Sequence, residues 1–184
     1  MNLPNILSLL RIALIPVLIG IFFLPYESAP LWATIVFAVA SFTDWLDGYL
    51  ARKWQQTSAF GAFLDPVADK LLVAVALVLV LYKTPEWFVL IPVIIIISRE
   101  ITISALREWM AELGQRNAVK VSYVGKLKTA FQMLSIGCLI YFKPLFGLPI
   151  FDIGLVLLYI ASALTLSSMF SYLKAALPML LTKG

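Results

Sequence analysis

The sequence predicts an all-α, polytopic membrane protein with six transmembrane helices, and three observations carry that prediction. Of 184 residues, 62% are hydrophobic and 13% charged, with a mean hydropathy of +0.98. A soluble domain would be about 45–50% apolar and about 25% charged. A water-soluble globule, a disordered chain and a nucleic-acid-binding domain are therefore excluded. Apolar runs separated by breakers give six candidate spans, where a bilayer crossing needs roughly 20 residues. Lysine and arginine gather in alternate links between those runs. Six spans consume most of the chain, so it forms a single membrane domain, 1–184, and its chemistry must come from the helices and their ends.

The elements follow in order, divided by breakers. The first span covers about 5–24 and stops before Pro25. It reads as a retained span and not a signal peptide: its one cation, Arg11, lies inside the apolar run, and no small-x-small cleavage site follows. The second covers about 30–51, the third about 62–82 and the fourth about 86–106. The fifth covers about 127–142 and the sixth about 150–173. Links rich in proline and polar residues separate most of them, and the one longer hydrophilic link is Arg107 to Lys126.

Charge placement orients the spans. One set of links holds Arg52, Lys53, Arg107, Arg116, Lys120, Lys126, Lys128, Lys174 and Lys183, and the other only Lys83 and Lys143. Both termini are then cytoplasmic. The net charge of +4 reports this topology and not nucleic-acid binding. The lone Cys138 gives no disulfide framework, and with no histidine neither an imidazole base nor a His-ligated metal is available.

Three cations, Arg11, Lys70 and Arg99, fall inside apolar segments, and four aspartates lie in the spans or at their cytoplasmic ends. A charge at mid-membrane costs about 2.5–3.5 kcal/mol on insertion scales, so such residues need a reason. Asp44 and Asp47 share one face of the second helix, and Asp65 and Asp69 one face of the third, because residues three or four apart are neighbours. A short link returns both ends to one membrane surface, where the four carboxylates converge. Four anions in low dielectric must be protonated or hold cations. Oxygen-only ligands select hard ions such as Mg²⁺, Mn²⁺ or Ca²⁺, and facing carboxylate pairs suit two ions in phosphoryl transfer. Gly48, Ala51 and Gly61 leave room beside the carboxylates, and Arg52 offers a fork suited to phosphate. Taken singly, these residues have plainer readings. Asp65 before Pro66 is a helix N-cap pattern, Gly48 a packing glycine, and Arg52 with Lys53 a topology anchor.

Read together, Asp44-x2-Asp47-Gly48-x2-Ala51-Arg52-x8-Gly61-x3-Asp65-x3-Asp69 resembles the signature of the CDP-alcohol phosphotransferase family, with every fixed position met. The resemblance extends to Asn2–Leu7 at the N-terminus, Ser98–Arg107 and Val124–Thr129, which are similar to the branch acting on a phosphorylated glycerol. It implies a six-helix membrane enzyme, a homodimer of the bacterial inner membrane with its site near the cytoplasmic face. Such an enzyme transfers the phosphatidyl group of CDP-diacylglycerol to sn-glycerol 3-phosphate and needs Mg²⁺ or Mn²⁺, as two ions. By the family pattern Asp44, Asp47, Asp65 and Asp69 are metal ligands, and Asp69 is also the catalytic base. Gly48, Ala51, Arg52 and Gly61 shape the CDP site.

An anionic acceptor calls for a basic pocket, and Arg99, Arg107, Lys126 and Lys128 flank the long cytoplasmic link. Arg99 has the alternative of a buried pair with Glu100 or a motif aspartate, and the other three that of interface anchors. Asn5 and Arg11 on the first span could face either substrate. Glu108 and Glu112 read as a solvated helical face, and the tryptophans near span ends as interfacial belts. Two rival functions remain. One keeps the family but uses phosphatidylglycerol as acceptor, making cardiolipin. The other is a small cation transporter, disfavoured because the acidic set lies at one face and no paired broken helices are visible.

Overall fold

The computed structural model describes residues 3–54, 59–112 and 123–182, and all of its regular elements are helices. In order they are α1 (Leu3–Phe22), α2 (Ala29–Trp54), α3 (Ala59–Lys83), α4 (Trp87–Glu112), α5 (Tyr123–Tyr141) and α6 (Ile150–Thr182). Among the described residues four stretches are long and apolar enough to cross a bilayer: Asn5–Phe22, Ala29–Leu50, Trp87–Glu112 and Ile150–Lys174. The uninterrupted apolar part of α5, Leu127–Tyr141, is shorter, and α3 carries Asp65, Asp69 and Lys70 along its length. The chain is a multi-pass membrane protein.

The helix order matches the six expected runs, but several ends differ. At the Lys/Arg-rich surface α2 continues to Trp54, α3 begins at Ala59, α4 continues to Glu112, α5 begins at Tyr123 and α6 continues to Thr182. Each extension adds helix beyond the apolar run, because α-helical hydrogen bonding is satisfied within the segment whether lipid or water surrounds it. The long link expected from Arg107 to Lys126 is shorter for the same reason. Glu108 and Glu112 are exposed on the extended α4, as a solvated face requires.

The bundle packs with small residues at its seams. Ala33, Ala40, Ala68, Ala76 and Ala161 are fully buried beside Leu18, Phe37, Leu72, Leu77, Ile136, Leu139 and Leu158. Lipid gives helices no hydrophobic reason to associate, so close van der Waals packing at small residues holds such bundles together. Gly154 on α6 shows how close the approach is. A Cβ there would lie 2.8 Å from Cys138 Cβ and 3.0 Å from Leu139 Cγ on α5. Ser135 Oγ donates to the Gly154 carbonyl across the same seam at 2.7 Å. Large apolar side chains such as Val78, Leu134, Val156 and Phe170 cover the exterior, as a lipid-facing surface demands.

Two features set the direction of the chain. The α5–α6 connection is a tight turn in which Phe146 and Gly147 both have positive φ, 51° and 80°. Leu145 and Leu148 exchange backbone hydrogen bonds across it at 3.1 and 2.9 Å. Pro16, Pro66 and Pro92 lie inside helices, which membrane bundles tolerate because neighbours satisfy the freed carbonyl. Pro66 therefore does not open a helix. The N-cap reading of Asp65 is overturned, since α3 starts six residues earlier, at Ala59.

Candidate functional site

Three helices meet at the aspartates. Asp44 and Asp47 lie one turn apart on α2, Asp65 and Asp69 one turn apart on α3, and α1 packs against both helices. The fully buried Arg11 of α1 stands between them. Its Nη2 contacts Asp47 Oδ2 at 2.5 Å and Asp44 Oδ1 at 3.1 Å, and its Nη1 donates to Asp69 Oδ1 at 2.5 Å. One turn earlier on the same face, Ser8 Oγ donates to Asp65 Oδ1. Asn5, a further turn back, is buried on the same stripe. The convergence of all four carboxylates is thus observed, with α1 closing the cluster.

Burial divides the aspartates. The Asp47 side chain is 3% exposed, whereas Asp44 and Asp69 are 35% and 41% exposed. An uncompensated carboxylate at the depth of Asp47 would be costly, and the Arg11 guanidinium supplies the counter-charge. The donor set is all oxygen and already surrounds a cation, which fits hard divalent ions in its chemistry. Among the described residues, however, no three carboxylates are turned on a common open point; their oxygens are directed at Arg11 instead.

Gly61 is buried and Gly48 half-buried on the aspartate-bearing helices, in keeping with small residues beside the carboxylates. Ala51, Arg52 and Lys126 belong to the helices, but their side chains lie outside the described residues.

A second polar cluster joins α4, α5 and α6. Arg99 Nη2 donates to Ser168 Oγ at 3.1 Å, and its Nη1 lies 3.4 Å from Glu100 Oε1. Lys128, almost fully buried, pairs with the same Glu100 oxygen. Arg107 Nη2 donates to the Tyr172 hydroxyl at 3.0 Å. The Arg99 and Arg107 guanidinium carbons lie 5.7 and 5.4 Å from the Tyr172 ring centroid, within cation–π range. Three of the four expected basic residues therefore assemble. Arg99 also makes the pair with Glu100 that was its alternative reading, and Glu100 shares that role with Lys128.

One bond links α3 and α4, the helices that carry Asp69 and Glu100. Lys70, next to Asp69, donates from Nζ to Ser104 Oγ, one turn beyond Glu100 on α4. Lys70 and Glu100 line one cleft of about 200 Å³ between α3 and α4, its other walls being apolar residues that include Leu71, Ala74 and Ile97.

Ser8, Ser168 and Tyr172 are partners that reading the sequence for charges missed. Their signal was periodicity: Asn5, Ser8 and Arg11 recur every third residue in an otherwise apolar helix, and Ser162, Thr165, Ser168 and Tyr172 recur every three or four in α6. Buried polar stripes of that kind in a lipid-facing helix mark a polar neighbour.

Comparison with known proteins agrees with this geometry. The family model described as CDP-alcohol phosphatidyltransferase matches residues 1–169. A protein of Pectobacterium atrosepticum is 52% identical over 175 residues, covering 95% of this chain and 94% of its own. Relatives from Salmonella choleraesuis, over the same shares, and from Sodalis glossinidius, over 96% and 95%, are each 50% identical. All three carry the name CDP-diacylglycerol–glycerol-3-phosphate 3-phosphatidyltransferase.

Proposed function

The chain belongs to the CDP-alcohol phosphatidyltransferase family, and from that premise we propose that it transfers the phosphatidyl group of CDP-diacylglycerol to sn-glycerol 3-phosphate. The products are phosphatidylglycerophosphate and CMP. The observation that supports the acceptor is the assembly of Arg99, Arg107 and Lys128 into one basic cluster. A phosphorylated acceptor needs such a pocket, whereas phosphatidylglycerol, the acceptor of cardiolipin synthesis, needs it less.

In this reading Asp44, Asp47, Asp65 and Asp69 hold Mg²⁺ or Mn²⁺, as two ions. Bound there, the ions would supply positive charge to the pyrophosphate of the donor and to the leaving CMP. The protein's own groups do the rest. Arg99, Arg107 and Lys128 hold the acceptor's phosphate. Its hydroxyl then faces Asp69, which is partly exposed at the opening of the cluster and accepts the hydroxyl proton. The oxygen attacks the phosphorus bearing the diacylglycerol, and the bridging P–O bond to CMP breaks. Gly48, Ala51, Arg52 and Gly61 accommodate the CDP group. With no histidine in the chain, a carboxylate is the natural base.

All six helices cross the bacterial inner membrane in this proposal, with the polar clusters near the cytoplasmic face and the enzyme a homodimer. α3 brings its charges to the membrane paired with Arg11, Ser8 and Ser104, which lowers the cost of burying them. The acyl chains of the donor can stay in the bilayer while its head group reaches the aspartates.

The test uses detergent-purified protein with CDP-diacylglycerol, Mg²⁺ and one acceptor per reaction, following CMP release and the lipid product. Turnover with glycerol 3-phosphate and not with phosphatidylglycerol, serine or inositol phosphate is expected. Turnover with phosphatidylglycerol in its place would reassign the acceptor, and no turnover with any of them would overturn the reading.

A further inference from the structure

We propose that Gln132 on α5 and Thr165 on α6, with Nε of Arg99 on α4, bind the acceptor's second hydroxyl, the one that does not react, one turn deeper in the bundle than the basic cluster. The inference rests on the reading of that cluster as the acceptor's phosphate site, and it names two residues that select among phosphorylated acceptors.

Buried polar atoms without partners carry it. A folded chain leaves few of them, because each costs about 1–3 kcal/mol. Among the described residues, the buried side-chain atoms with no hydrogen bond are Arg11 Nε, Arg99 Nε, Gln132 Oε1 and Thr165 Oγ1. Three of these four belong to α4, α5 and α6, the helices that build the basic cluster. Gln132 is 3% exposed and Thr165 0%.

The surrounding contacts fix their level. Lys128, one turn before Gln132 on α5, pairs with Glu100, the neighbour of Arg99. Ser168, which accepts from Arg99 Nη2, donates to the carbonyl of Thr165, one turn before it on α6. Helices α5 and α6 run in opposite directions, so a turn after Lys128 and a turn before Ser168 lie at the same depth. Deeper still, Ser135 donates to the Gly154 carbonyl, so the polar stripe of α5 is satisfied there. The unpaired atoms sit just beneath the basic cluster.

Their chemistry selects the ligand. Gln132 Oε1 can only accept and the Arg99 Nε–H can only donate. A phosphate oxygen would answer the arginine and leave the amide oxygen unpaired. A hydroxyl donates once and accepts twice, so it answers both and has one lone pair left for Thr165. The depth agrees. One helical turn rises about 5.4 Å, comparable to the span from phosphorus to the hydroxyl on the middle carbon of glycerol 3-phosphate. With the phosphate on the basic residues and the terminal hydroxyl at Asp69, the middle hydroxyl is the group left for this site.

The test compares kcat/KM for glycerol 3-phosphate and for 3-hydroxypropyl phosphate, which lacks the middle hydroxyl, with CDP-diacylglycerol and Mg²⁺ saturating. Wild type should prefer glycerol 3-phosphate by about tenfold or more. Gln132→Met keeps the length of the side chain without its polar atoms, and should shrink that preference to about threefold or less. The loss should fall on glycerol 3-phosphate more than on the analogue. Thr165→Val should move the preference the same way. A wild-type protein that turns over both acceptors alike overturns the inference and leaves the proposed function standing. So does a Gln132→Met protein that slows both in proportion, because the unpaired atoms would then belong to a buried water. Should Gln132→Met fail to fold, Thr165→Val decides by the same comparison: a smaller preference supports the site, and an unchanged one overturns it. A wild-type protein that turns over neither acceptor overturns the proposed function and this inference together.

Discussion

Replacing Asp69 with asparagine should separate chemistry from folding. Asp69 receives a hydrogen bond from Arg11 at 2.5 Å, but its side chain is 41% exposed. With Arg11 fully buried and Asp69 partly open, the pair lies between an exposed one, at about 0.2–1 kcal/mol, and a buried one, at about 3–5 kcal/mol. Asparagine keeps the shape and one oxygen for Nη1, and Arg11 still holds Asp44 and Asp47. The melting temperature of Asp69→Asn should therefore fall by less than that of Asp47→Asn, at about 2–4 °C for each 1 kcal/mol in a chain of this length. Turnover should fall by about 10²–10⁴, the range for loss of a general base, because an amide cannot take the hydroxyl proton. Asp47→Asn is the contrast. That carboxylate is 3% exposed against a fully buried guanidinium, and breaking a buried pair costs about 3–5 kcal/mol, so this variant should lose folded yield as well as activity. Both are assayed by CMP release and by thermal melting in one detergent. Retention by Asp69→Asn of more than about a tenth of wild-type turnover would refute the base assignment. A loss of stability equal to that of Asp47→Asn would refute the argument from exposure.

Other outcomes follow from the same geometry. Tyr172→Phe removes the oxygen that accepts from Arg107; KM for glycerol 3-phosphate should rise roughly tenfold, the size of one hydrogen bond to a charged group, with kcat unchanged, and an unaltered KM would take Tyr172 out of the pocket. Gly154→Ala forces a Cβ to 2.8 Å from Cys138 Cβ and should destabilise by about 1–3 kcal/mol. Gly137→Ala meets nothing within 4 Å and should be neutral or stabilising by up to about 1 kcal/mol, so equal melting shifts for the two would contradict the close α5–α6 approach. Chelation by EDTA should abolish CMP release, with recovery on adding Mg²⁺ or Mn²⁺; turnover that survives complete metal removal would sink the two-ion mechanism.

The sequence makes the helix order legible because breakers divide the apolar runs, four of which are long enough among the described residues to cross a bilayer. It made the aspartate cluster legible because a three- or four-residue spacing fixes a helix face without any tertiary information. Helix ends were less legible: hydropathy stops at the membrane surface, but hydrogen bonding continues through Arg107–Glu112 on α4 and beyond residue 173 on α6. The Asp65–Pro66 pair shows a local pattern overridden by context. Its capping signature depends on a helix start, and the chain supplies one six residues earlier, at Ala59. Arg11 was visible as a misplaced charge, but its partners were not. Which of two neighbouring helices α1 faces depends on packing, and Ser8 and Asn5 name the polar face without naming what lies opposite.

The basic cluster gives the site a direction. Arg99, Arg107 and Lys128 against Glu100 leave one end positive, whereas at the other the aspartates already face a guanidinium. The Lys70–Ser104 bond ties the helix that carries Asp69 to the helix that carries Glu100. In the proposed reaction, a molecule with an anionic phosphate and a neutral hydroxyl would be oriented by the basic cluster. Its phosphate is drawn to the basic end, which leaves the hydroxyl as the part free to reach Asp69. An acceptor without the phosphate would gain nothing from this polarity, which is why the acceptor assignment rests on the α4–α6 cluster and not on the aspartate motif. In the proposed reaction the motif would supply the chemistry, and the basic residues the choice of what reacts.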